Sequence, residues 1–222
     1  MIPRKIDLPQ LRLFLDFDGT LVFNSTHSFS QLLQLAVAYG FKGSSADAEQ
    51  RLRSCTTDYE IADQLGMGVD TRGFTSALLD ANMLNLENSE YSASLLRVIH
   101  ELGAHHELYI ISNRDQLSLE VGIEKIGLSH LFKEVVGAQK GLRGKPFTEM
   151  CDGLLQRLGV GDAAKKTQID VYIGDKGTDY QFAQKAHMKF IGACWYHDRL
   201  SAKTPNRCVK INDLRNSLKE IS

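Results

Sequence analysis

The sequence predicts an α/β fold, a Rossmann-like three-layer core with a mostly parallel sheet and a small all-α unit inserted after its first strand. Three observations carry that expectation. Leu11–Leu15 is a short apolar run broken only by Arg12, the pattern of a strand buried on both faces. From about residue 91 onward, apolar strand-like runs alternate with segments of helical periodicity. Between residues 28 and 86 the periodicity is helical throughout and no convincing strand appears.

Taken in order, the first strand ends in "LFLDFDGTL", where Asp16 and Asp18 place two carboxylates one residue apart just before Gly19 and Thr20. "FSQLLQLAVAYG" reads as a helix stopped at Gly40, and "SADAEQRLRSC" as one capped by the serines before it. "TTDYEIADQLG" and "TRGFTSALLDANML" both start at threonines and complete the helical insert. "YSASLLRVIHELG" is a helix closed by Gly103, "ELYIIS" the second strand, "DQLSLEVGIEKIG" a helix and "KEVVGA" a short strand. "PFTEMCDGLLQRLG" is expected to start a helix with Pro146 near its first turn. "IDVYIGD", "DYQFAQKAHM", "KFIGACW" and "CVKI" follow as strand, helix and two strands, with "NDLRNSLKEI" last. Strands alternating with helices imply right-handed crossovers and ligands at the carboxyl ends of the strands. The expected division is a core of residues 1–21 and 91–222 and a helical cap of residues 22–90 above that end of the sheet.

Composition narrows the function classes. A formal net charge of −1 over 222 residues lacks the basic excess that nucleic-acid binding needs. The N-terminus has no apolar run of signal-peptide length, and no stretch reaches the roughly 18 apolar residues of a membrane span. Four scattered cysteines form no CxxC pair and no Cys/His cluster, so reduced thiols and a cytoplasmic setting are expected. Oligomeric state is not legible.

Four polar clusters fall at strand ends or turns: Asp16 with Asp18, Ser112 with Asn113, Lys145 in "RGKP", and Asp175 with Asp179 in "GDKGTD". Several carboxylates converging without cysteine or histidine favour a hard cation, Mg²⁺ before zinc. A lysine, a hydroxyl and strand-end N–H groups complement a phosphate. The same residues also have ordinary readings. Lys145 alone reads as a solvated lysine, Ser112 and Asn113 as a cap and turn, and Asp179 as a first-turn acid favoured by the helix dipole. A calcium loop at "DFDG" fails in both registers, and "GLRGK" fails as a nucleotide-binding loop because Gln139 and Pro146 stand where Gly and Ser/Thr are needed.

"DFDGT", "ISN", "GKP" and "GDKGTD", in this order, resemble the four motifs of the haloacid dehalogenase-like (HAD) superfamily. The insert resembles that superfamily's C1-type cap, as in phosphoglycolate phosphatase-like and β-phosphoglucomutase-like members. The resemblance implies an Mg²⁺-dependent phosphatase acting on a small phosphorylated metabolite. Asp16 would be the nucleophile that becomes an aspartyl phosphate, and Asp18 the acid and base. Ser112, with Asn113, Gly19 and Thr20, would meet the phosphate, and Lys145 would neutralise it and the nucleophile. Asp16, Asp175 and the carbonyl of Asp18 would ligate the metal, and Asp179 would orient a metal water or Lys145. An acid at position 18 favours phosphate esters over haloacids, because an alkoxide leaves with a proton and a halide does not. Asn24 stands where relatives often carry an acid, and "KPFTE" lacks a second proline. Thr26 and His27 are near enough in sequence to reach a substrate, and "RLRSCTTDY" is a candidate for setting specificity. A sugar phosphomutase with the same residues, and a catalytically silent metabolite-binding protein, are the alternatives; the latter expects a missing carboxylate, and none is missing.

Overall fold

A computed structural model describes residues 10–23, 29–66, 70–162 and 168–221. Strands β1 (Leu11–Leu15), β2 (Glu107–Asp115), β3 (Phe132–Ala138), β4 (Ile169–Gly174), β5 (Lys189–Ala193) and β6 (Arg207–Cys208) form one sheet in the order β3-β2-β1-β4-β5-β6. Every adjacent pair is parallel, and β1 is central, with Leu13 opposite Leu108 on one side and Val171 on the other. The alternation of β1 divides the core. Leu11, Leu13 and Leu15 pack with α5 (Ala93–Gly103), α6 (Gln116–Lys125) and α9 (Leu214–Ile221). Phe14 faces the other way, into a cluster with Tyr109 and Tyr172 and with α7 (Asp152–Leu158) and α8 (Gly177–Lys185). A strand covered on both faces has no use for polar alternation, which explains the apolar residues at 11, 13, 14 and 15; Arg12, the exception, is buried in an ion pair with Asp170 at 2.6 Å.

The insert consists of α1 (Phe29–Ala38), α2 (Ser45–Leu52), α3 (Asp58–Leu65) and α4 (Thr71–Glu87). Ser44 caps α2 by accepting from the Asp47 N–H, and Thr57 with Glu60 forms a capping box on α3. The cap of α4 is Asp70, one residue before the expected threonine. Phe41, Leu65, Phe74 and Leu78 form a hydrophobic cluster of the insert's own. The chain leaves and re-enters the sheet layer side by side: Phe23 and Glu90 exchange backbone hydrogen bonds at 2.7 and 2.8 Å.

Two expected elements differ. Residues 146–151 do not begin a helix at Pro146; α7 starts at Asp152, after a 3₁₀ turn at Glu149–Cys151. The reason lies upstream: the Lys145 backbone is clamped by Asn113, so the segment follows the site before it turns into a helix. The strand expected at "CVKI" shrinks to Arg207–Cys208, because it pairs only with the last two residues of β5 and Val209 is solvent-exposed.

Because the insert has its own core, a Leu78→Ala substitution should cost about 3 kcal/mol in urea unfolding. Hydrogen exchange should then show lost protection in α1–α4 with protection retained in β1, β2 and β4; equal loss in the strands would contradict a separate core.

Candidate active site

The site is built where β1, β2 and β4 end. Asp16 follows β1 directly, and its N–H donates to the Ile173 carbonyl of β4 at 2.9 Å, fixing one motif against another. Asp16 is 3 % exposed, and Asp175 and Asp179 are fully buried. One carboxylate oxygen from each of these three lies within 4.8 Å of the others. Two glycines make this approach possible. Gly19 has φ +82°, and a Cβ there would fall 2.2 Å from Asp175 Oδ2. A Cβ at Gly174 would fall 2.5 Å from Asp179 Cγ.

Lys145 holds the carboxylates together. Its Nζ lies 2.8 Å from Asp16 Oδ1, an ion pair not aligned as a hydrogen bond, and donates to Asp179 Oδ1 at 2.7 Å and Tyr172 Oη at 2.8 Å. Tyr172 Oη in turn donates to the Ile111 carbonyl at 2.7 Å. Burial disfavours the ammonium, but Asp16 and Asp179 outweigh it and hold the Lys145 pKa above its usual value. Lys145 is therefore a buried ammonium, not a solvated surface lysine. Asp179 accepts from Lys145 with one oxygen and from the Lys176 N–H with the other at 2.9 Å, so it orients the lysine and the turn before α8.

Ser112 is buried, and its Oγ accepts from the Arg114 N–H at 3.4 Å. The Asn113 amide is committed to Lys145: Nδ2 donates to the Lys145 carbonyl at 3.0 Å, and Oδ1 accepts from the Lys145 N–H at 2.7 Å. Asp16, Asp18, Ser112, Asn113, Lys145 and Asp179 line one cleft of about 230 Å³ between sheet and insert. Gly19, Thr20 and Asp175 are not among its lining. Thr20 is buried, its carbonyl accepting from Trp195 Nε1 at 2.9 Å. Asn24, Thr26 and His27 lie outside the described residues.

Sequence reasoning missed Arg114. Its guanidinium grips the Asp18 carboxylate, Nη2 to Oδ1 at 2.8 Å and Nε to both oxygens at 3.1 and 3.2 Å. It also lies over the Phe17 ring and donates from Nη1 to the Asn82 carbonyl of α4 at 3.2 Å. Asn82 Nδ2 reaches Asp58 Oδ2 of α3 at 2.6 Å and Asp115 Oδ2 at 3.3 Å. The signal was present in "ISNR": a cation directly after the second motif can neutralise one acid of the first. The contact to Asn82 had no sequence signal. Thr56, Thr57 and Asp58, all from "RLRSCTTDY", face the cleft.

The residues fit a hard divalent cation. Both oxygens of the fully buried Asp175 lack a hydrogen-bond donor among the described residues, and Arg199 approaches no closer than 3.6 Å. Burial of an unsatisfied carboxylate is costly, and a cation bound by Asp16 and Asp175 removes that cost. Among the described residues, no helix is long and apolar enough to cross a membrane.

The family model described as haloacid dehalogenase-like hydrolase matches residues 13–193. Among curated proteins none matches. A candidate phosphoglycolate phosphatase of Lactobacillus plantarum superposes with a TM-score of 0.67 at 21% identity, covering 95% of this chain and 100% of that one. A candidate β-phosphoglucomutase of Thermotoga maritima gives 0.62 at 18%, covering 96% and 100%. A HAD-hydrolase of Bacillus subtilis bound to magnesium gives 0.63 at 15%, again covering 96% and 100%. At these identities the likeness is one of fold.

Two outcomes follow from the electrostatics. Arg114→Met removes the buried guanidinium that grips the partly buried Asp18 carboxylate, so unfolding by urea should show a loss of about 3 kcal/mol. Burial raises the Asp16 pKa, against the pull of Lys145, and raises Asp175 to about 7, against that of Lys176. In the metal-free protein the folded state then binds more protons than the unfolded chain between the ordinary value of 3.8 and about 7, so stability falls as pH rises through that window. Cation binding requires the ionised acids and releases protons. Thermal melts with and without Mg²⁺ should show a stabilisation that grows from pH 5 to 8; a gain independent of pH would contradict the assignment.

Proposed function

The chain belongs to the haloacid dehalogenase-like hydrolase family, and from that premise we propose that it is an Mg²⁺-dependent phosphatase hydrolysing a small phosphorylated metabolite. The observation that carries this reading is the pair of first-motif acids in two different environments. Asp16 lies against Lys145 at 2.8 Å, and Asp18 is held by Arg114 at the same distance. One fold thus supplies a nucleophile in a cation-rich pocket and a second acid beside the cleft.

In this reading an Asp16 oxygen attacks phosphorus, the Asp16–phosphorus bond forms, and the bond from phosphorus to the alcohol oxygen breaks. Asp18 gives the departing oxygen its proton, then takes one from the water that cleaves the aspartyl phosphate. In the first half the alcohol oxygen must approach Asp18 in competition with Arg114. Ser112 and Lys145 hold phosphoryl oxygens. Asp16, Asp175 and the Asp18 carbonyl would hold Mg²⁺, which supplies charge neutralisation between nucleophile and phosphate. Residues 22–90 act as the cap that excludes water and selects the alcohol. The magnesium-bound Bacillus subtilis neighbour is consistent with this cation.

Hydrolysis of p-nitrophenyl phosphate should require Mg²⁺, stop on chelation, and fall at least about a thousandfold in Asp16→Asn. Equal turnover by variant and wild type would sink the nucleophile assignment. The Thermotoga maritima neighbour keeps a phosphomutase in view. Isomerised sugar phosphate in place of free phosphate would decide for it.

A further inference from the structure

Among the described residues, three basic side chains line the cleft: Arg114, Lys145 and Lys176. Two of them are engaged. Arg114 holds the Asp18 carboxylate and the Asn82 carbonyl. Lys145 is ion-paired with Asp16 and donates to Asp179 and Tyr172. Lys176, inside "GDKGTD" but given no role by the motif, differs. Its backbone is fixed: the N–H donates to Asp179 Oδ2 at 2.9 Å, and the carbonyl accepts from the Asp179 N–H at 3.1 Å. Its half-buried side chain lines the cleft, and the ammonium makes no hydrogen bond or ion pair among the described residues. Even the nearby acids do not engage it, since neither Asp16 Oδ1 nor either oxygen of Asp175 receives a hydrogen bond.

Burial disfavours the charge on Lys176, but Asp16, Asp175, Asp18 and Asp179 outweigh it, so the residue is an ammonium with three donors unengaged. The charge balance indicates what those donors meet. With the four acids ionised, Lys145 and Arg114 offset two negative charges. A divalent cation bound by Asp16 and Asp175 offsets the other two. Lys176 is then a positive charge in excess, and Arg199 adds to that excess from outside the lining of the cleft. A half-buried ammonium with no counter-charge is costly, and an anion entering the cleft removes the cost. Ser112 and Lys145 line the same cleft, so a phosphoryl group held by them comes within the reach of Lys176.

We propose that Lys176 is a phosphate-binding residue of this site, donating to a phosphoryl oxygen of the substrate together with Ser112 and Lys145. The inference deepens the phosphatase reading and rests on it for the cleft being the phosphate site. The competing role is that of a counter-charge to the acids in the metal-free protein, with no part in holding the substrate.

Calorimetric titration with inorganic phosphate in saturating Mg²⁺ reads the contact without turnover. Lys176→Met should bind phosphate about tenfold or more weaker than the wild-type protein. Titration of the phosphate-free proteins with Mg²⁺ is the control, because removing a neighbouring positive charge leaves the affinity for a cation equal or tighter. Unchanged phosphate affinity in Lys176→Met overturns the proposal, as does the absence of phosphate binding by the wild-type protein. A loss of phosphate affinity matched by weaker Mg²⁺ binding also overturns it, since the lysine then supports the arrangement of the acids. Should Lys176→Met fail to fold, Lys176→Gln is read in its place by the same criteria. Hydrolysis of p-nitrophenyl phosphate by the wild-type protein is read separately. Hydrolysis with phosphate affinity unchanged in the variant overturns the inference alone. Phosphate binding that depends on Lys176 in a protein that leaves p-nitrophenyl phosphate intact supports the inference and removes the phosphatase reading.

Discussion

The Lys145 ammonium is the interaction on which the rest of the site depends. It is buried with Asp16, Asp179 and the Tyr172 hydroxyl around it, ion-paired with the first and donating hydrogen bonds to the other two. Without it, the buried carboxylates of Asp16 and Asp179 would lose their nearest counter-charge. The neighbouring structure serves this arrangement. Asn113 fixes the lysine's backbone at both its N–H and its carbonyl, and Tyr172 is anchored in turn to Ile111. Gly174 leaves space for Asp179, and Gly19 leaves space for Asp175. Small changes at these glycines would be felt at the acids before anything else.

A second network reaches out of the core. Asp18 binds Arg114, Arg114 binds the Asn82 carbonyl, and the Asn82 amide binds Asp58. These contacts run from the end of β1 to α4 and α3 of the insert, so the second acid of the first motif is in hydrogen-bonded contact with the elements by which the insert lines the cleft. The paired backbone hydrogen bonds at Phe23 and Glu90 form another join between the layers, and Lys125 of α6 adds a third by donating to the Leu86 and Glu87 carbonyls of α4.

Much of the architecture was legible because it rests on local pattern. The buried run of β1, the strand–helix alternation after residue 91 and the strand-free insert translate directly into observed elements. The segment after Pro146 was misread because its helical composition is overridden by the clamp on Lys145, a contact 32 residues away in sequence. "CVKI" has strand composition but only two residues of partner, and a strand needs the partner as much as the composition. Arg114 stood in plain view beside Ser112 and Asn113. Its role required knowing that Asp18 lies against it, 96 residues away.

The sequence by itself determined the fold class, the strand ends that converge and the identity of the acids, because hydrophobic period and residue chemistry are local properties. Only the tertiary structure decided how those acids differ. It put Asp16 against a buried lysine, Asp18 against an arginine tied to the insert, and Asp175 in the interior where no described residue donates to it. Burial and the nearest counter-charge set the protonation of a carboxylate, and both are properties of the packed chain.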